Sequence, residues 1–147
     1  MVVHIKDIVD ALDEPYDLFL SYVDRETGKV HCISRELVSF VEDGGQEDDL
    51  SEDELEDFKL VLMIYETDRM LRLPTSQEIN EWSIMEQFAE SVGEQLLDAV
   101  HGRGAFRRFK DAVYRLGIEK DWFRYRDQAL RNIAIEWCEK NGLDYTN

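Results

Sequence analysis

The stretch richest in chemistry is His101-Gly-Arg-Gly-Ala-Phe-Arg-Arg-Phe-Lys110-Asp111. Two glycines, Gly102 and Gly104, sit between two runs of helical periodicity. A helix that starts after Gly104 leaves its first backbone N–H groups without intrahelical partners, and those groups together with the helix dipole favour an anion. Arg103, Arg107 and Arg108 can add forked, charge-assisted hydrogen bonds, and Lys110 a point charge. A carboxylate or phosphate is the ligand such a set would take. The same arginines could instead dock the acidic N-terminal half of the chain, through Glu36 or Glu66 for example, and the sequence leaves the two employments open. Phe106 and Phe109 are expected to point into the core. His101 could act as acid or base on a small anionic substrate, since histidine is the side chain suited to proton transfer around neutral pH. The sequence offers no nucleophile or metal set to go with it. The Gly-x-Gly pair also lacks the strand and helix context of a dinucleotide fingerprint.

Other chemistry-bearing residues carry less. Trp122-Phe-Arg-Tyr-Arg126 interleaves aromatics with bases, as base-stacking surfaces do. The helical spacing of Trp122, Arg126 and Ala129 favours packing, with Trp122 buried and Arg124 solvated. His4, His31 and His101 share no zinc spacing, and Cys32 and Cys138 form no disulfide framework. His31 and Cys32 point to opposite faces of a predicted strand, which opposes a Cys–His dyad. Residues 42–57 hold ten acidic side chains and no basic one. Asp49, Ser51 and Asp53 imitate the start of a calcium loop, but Glu54 and Leu60 stand where it needs glycine and a carboxylate. No metal or cofactor is expected.

Charge bounds the partners. The 147 residues carry a formal net charge of −16, distributed unevenly. Residues 1–60 hold 5 basic and 18 acidic side chains, and residues 61–100 hold 2 and 8. Residues 101–131 reverse the balance with 9 and 4. The overall charge disfavours broad nucleic-acid binding but leaves room for a local anion site. No apolar run of membrane-spanning length and no signal-peptide core occur, so a cytoplasmic protein is expected.

The elements that must position these residues read as α+β: a small antiparallel sheet, built from a hairpin and a possible third strand, followed by a mainly helical C-terminal half. A helix is expected over residues 3–12 and a hairpin over 17–33 with its turn at Gly28. Ser34 is placed to cap a short helix. Ser51 with Glu54, and Thr75 with Glu78, each carry the capping-box pattern before a helix. Residues 60–65 are wholly apolar and fit a buried helix or a strand; residues 68–73 could supply the third strand. Amphipathic periodicity then marks helices over 79–92, 106–116 and from Asp121 to about 141. One domain, 1–147, is expected, with an acidic α/β part over about 1–73 and a helical part over about 74–142.

The Gly-Arg-Gly-Ala-Phe-Arg-Arg-Phe-Lys stretch resembles the signature of an uncharacterised family of small bacterial proteins. Trp122-Phe-Arg-Tyr-Arg126, Ala134-Ile-Glu-Trp137 and Leu71-Arg-Leu-Pro74 are similar to that family too, so the resemblance covers roughly residues 60–141. It implies a bacterial, cytoplasmic origin and no particular activity. The residues therefore predict a non-catalytic binding or regulatory protein with an anion or partner site formed by His101, Arg103, Gly104, Arg107, Arg108 and Lys110. The alternatives are an enzyme using His101 with the arginines as a clamp, and an acidic mimic of DNA using residues 42–57. The oligomeric state is open.

Overall fold

A computed structural model describes residues 1–147. The fold is α+β, and the backbone divides into two compact units, Met1–Glu78 with Ala134–Asn147, and Ile79–Ile133.

The first unit holds every strand. β1 (Val3–His4) pairs in parallel with β5 (Tyr145–Thr146). α1 (Ile5–Leu12) follows and buries Ile5, Ile8, Val9 and Leu12 on one face, the stripe its spacing predicts. The expected helix thus begins two residues late, because Val3 and His4 are taken into the β1–β5 ladder. β2 (Phe19–Asp24) and β3 (Val30–Ser34) form the predicted hairpin, with Tyr22 opposite His31. Gly28 closes it at φ +76°, and a Cβ there would lie 2.4 Å from the Val2 carbonyl oxygen. Glycine is needed at that turn for both reasons. β4 (Met70–Arg72) adds on the other edge of β2, so the sheet order is β3-β2-β4.

Two helices cover this sheet. α2 (Arg35–Glu42) follows Ser34, whose side chain makes no cap bond; the Arg35 N–H donates instead to the Leu18 carbonyl at 2.9 Å. α3 (Glu52–Glu66) begins where the Ser51–Glu54 pattern predicts, and the Glu54 carboxylate accepts from the Ser51 N–H at 3.3 Å and hydroxyl at 2.9 Å. The apolar run 60–65 is helical. Tyr22, Ile33, Leu37, Val61 and Met70 make the core between sheet and helices.

Asp24 is buried at the end of β2 and is the unit's main electrostatic tie. Its two carboxylate oxygens accept from Arg69 Nε and Nη2, both at 2.8 Å, and Oδ1 also accepts from the Glu26 N–H at 2.9 Å. These donors hold the carboxyl far below the usual carboxylate range, the Arg69 hydrogen bonds contributing most. Arg72 grips Glu78 at 2.6 and 3.2 Å and lowers it to about 2.

The second unit is helical: α4 (Glu81–Val92), α5 (Glu94–Leu97), a 3-10 turn, α6 (Ala105–Arg115) and the first part of α7 (Glu119–Lys140). The Thr75–Glu78 box does form, with the Thr75 N–H donating to Glu78 at 3.2 Å and the Glu78 N–H to the Thr75 hydroxyl at 3.3 Å. It closes a turn, however, and does not open the helix. α4 is capped by Asn80, whose Oδ1 accepts from the Ser83 N–H at 3.0 Å. α7 likewise begins before Asp121. No helix is long and apolar enough to cross a membrane.

Candidate functional site

The site lies in the second unit, on α6 and the loop before it. Phe88, Phe109 and Trp122 form its foundation, with Phe109 and Trp122 edge to face at 4.7 Å and Phe88 within 6.4 Å of Phe109 and 5.4 Å of Trp122. Ala105, Phe109, Ala112 and Val113 make the buried stripe of α6, at helical spacing. Trp122 is buried and Arg124 exposed, as the spacing of that segment predicts.

The loop ahead of α6 is fixed by backbone conformation and by one arginine. Trp82 Nε1 donates to the Val100 carbonyl at 2.7 Å, and its ring meets the His101 ring edge-on at 6.2 Å. Gly102 and Gly104 then both take left-handed conformations, at φ +82° and +72°. Side-chain clash does not impose glycine here, since a Cβ on either would sit 3.6 Å from the Arg108 guanidinium. The positive φ imposes it. Arg108 folds back and donates through Nη2 to the His101 carbonyl and through Nη1 to the Arg103 carbonyl. A planar fork suits two carbonyls side by side. Gly104 supplies no side-chain cap to the helix start.

The six residues expected to act together thus separate into roles. Arg108 is the strut of the loop. His101 is exposed with its ring against Trp82, and its imidazole makes no hydrogen bond. Arg103, Arg107 and Lys110 are exposed, and none forms an ion pair. Between Ala105 and Arg115 the helix carries four basic side chains against one acidic.

Phe106 departs from expectation. It is 51% exposed, because the buried stripe of α6 is complete without it and it lies at that stripe's edge. There it walls a cavity of about 250 Å³ with Phe123, which is 61% exposed, over Phe109 and Trp122. Lys110 stands on the rim. Arg126 and Glu81 complete the wall, joined at 2.6 Å through Nε. A second cavity of about 440 Å³ continues from Lys110 and Phe123 along α6 to Tyr114, itself 74% exposed. Sequence reasoning missed Phe123, Tyr114 and the Glu81–Arg126 pair as parts of a site. The available signal was Phe106, Lys110 and Tyr114 at four-residue spacing, which places them on one stripe.

The first unit offers a contrasting cavity of about 410 Å³, walled by Glu36, Asp49, Asp53, Glu54 and Asp57 over Leu37 and Phe40. Burial, with the Glu56 charge beside it, pushes the Asp57 carboxyl upward. No group of three or more His, Cys, Asp or Glu side chains is placed to hold a metal ion. Cys138 is buried, which pushes its thiol up to about 11; Cys32 is exposed, its sulfur 3.1 Å from the Ser21 hydroxyl.

Comparison with known proteins gives a family and no activity. The model of a family described as an uncharacterised protein family, UPF0158, matches residues 1–147. The chain is 27% identical over 149 residues to a UPF0158 protein of Pseudomonas aeruginosa, an overlap that spans 97% of this chain and 85% of the relative. No solved structure matches the chain.

Proposed function

The chain belongs to the uncharacterised protein family UPF0158, and on that premise we propose that it is a non-catalytic binding protein whose α6 face takes an anionic group of a protein partner. One observation carries the reading: Arg103, Arg107 and Lys110 stand exposed on one short stretch with no carboxylate bound to any of them. The contrast within the stretch supports it, since Arg108 is fully employed on backbone carbonyls while its neighbours are not. Cations left unpaired beside an uncapped helix start form a local positive field on an otherwise acidic chain.

The reading is tested with a poly-glutamate peptide at low salt, followed by calorimetry on the full chain. Binding is expected in the wild type and is expected to disappear in the combined Arg103→Glu, Arg107→Glu, Lys110→Glu variant while its melting temperature holds. Equal binding by both chains, or none by the wild type, rejects the reading.

A further inference from the structure

We infer that the cavity between Phe106 and Phe123 is an anchor pocket for an aromatic side chain carried on the acidic partner segment. The inference rests on the binding reading above and specifies the partner's chemistry. Two large aromatics more than half exposed, Phe106 and Phe123, face one cavity of about 250 Å³ whose floor is Trp122. Exposed aromatics forming a pocket wall lose water-contacting surface only when something apolar enters. An aromatic ring suits such a lining, since edge-to-face contacts with Phe106, Phe123 and Trp122 add to the burial.

The polar rim selects the rest of the segment. Lys110 borders both cavities and makes no ion pair, whereas Arg126 is gripped by Glu81. Within the lining of the Phe106–Phe123 cavity Lys110 is therefore the open charge, while Asp111 and Glu119 line the second cavity beyond it. Arg107 precedes Lys110 by three residues and lies on the same side of the helix. A segment with carboxylates flanking one aromatic residue would seat the ring in the pocket and place its acids against Lys110 and Arg107. This is the usual anatomy of a small interface, an aromatic anchor in a pocket with charge at the rim. A nucleic acid fits the same local chemistry less well. Its continuous phosphate charge would meet a chain of net charge −16, while a short peptide presents a few carboxylates to the one basic face.

The test uses a random peptide library displayed on phage and selected against the full chain, with counter-selection against the Phe106→Ala chain. Phe106 is half exposed, so this variant is expected to fold, and its melting curve checks that. Enriched peptides are expected to combine acidic residues with one aromatic. A synthetic copy of an enriched peptide should bind at least about tenfold tighter than its aromatic-to-alanine version, and should lose a similar factor against Phe106→Ala or Phe123→Ala chains. Enrichment of acidic peptides with no aromatic requirement overturns the anchor pocket and leaves the acidic-partner reading standing. Enrichment of basic peptides, or of none, overturns both. Tighter binding of a single-stranded oligonucleotide than of any peptide, with the same dependence on Phe106, also overturns the inference.

Discussion

Two regions, the β4 strand with its edge and the α6 stretch with its preceding loop, use the same side chain in opposite ways. In the first, Arg69 and Arg72 leave β4 or its edge and are taken up by carboxylates, Asp24 and Glu26 for one and Glu78 for the other. In the second, Arg108 holds backbone carbonyls, while Arg103, Arg107 and Lys110 hold nothing. The difference follows from what each backbone brings near. The antiparallel register of β2 and β4 sets Asp24 opposite Met70, next to Arg69, so that pair is settled by folding. On α6, Asp111 stands four residues after Arg107 but forms no ion pair with it. Arg69, Arg72 and Arg108 are therefore held by the chain itself, whereas Arg103, Arg107 and Lys110 form no ion pair.

The largest effect expected from this contrast is at Asp24. Asp24→Ala removes the acceptor of two Arg69 bonds and of the Glu26 N–H, and should cost about 2–3 kcal/mol in urea unfolding. An unchanged midpoint would place Arg69 in the same class as Arg107 and break the comparison. The pair also sets an acid limb. Asp24 and Glu78 both titrate lower in the folded chain than in the unfolded one. The stability they contribute is complete above about pH 5 and is lost as pH falls, Glu78's share down to about 2. Urea midpoints measured from pH 7 to pH 3 should fall less steeply in Asp24→Asn than in the wild type.

A smaller effect belongs to Arg108. Its fork joins the His101 and Arg103 carbonyls across two left-handed glycines, so Arg108→Ala should cost about 1 kcal/mol. Arg108→Lys should recover less than half, because one ammonium cannot reproduce two parallel N–H bonds. Full recovery by lysine would mean that charge alone matters there, and Arg108 would rejoin the partner-binding set.

The α+β order, the hairpin, the third strand and the helical second half were legible, because periodicity and turn residues act locally. The Ser51–Glu54 box opens α3 as its spacing predicts, for the same reason. The Thr75–Glu78 box formed without opening a helix, since Arg72 claims the same carboxylate and Asn80 caps the next residue instead. The β1–β5 pair was invisible, as two-residue strands joining the chain's two ends leave no pattern. Within the site, helical spacing placed Phe109 correctly but put Phe106 in the core, though it lies one residue past the buried stripe. Adjacent arginines diverged by the same geometry. Arg107 and Arg108 are identical in type, yet one step along a helix turns a side chain by about 100°, toward the loop for one and toward solvent for the other.

That divergence gives the smallest and most discriminating prediction. Arg107 is the third residue of α6, where a side chain meets the positive end of the helix dipole. Its guanidinium forms no ion pair, so Arg107→Glu removes none; it places a favourable charge at the dipole and a like charge four residues before Asp111, two small and opposing effects. Its stability should stay within about 0.5 kcal/mol of the wild type or rise slightly, read from urea midpoints beside those of Arg108→Ala. A loss as large as that of Arg108→Ala would show that Arg107 is held by the protein itself, and the division between structural and available arginines would move to include it. Unchanged stability combined with lost poly-glutamate binding is the pattern the division requires, because a residue spent on folding cannot be reversed in charge without a cost to folding.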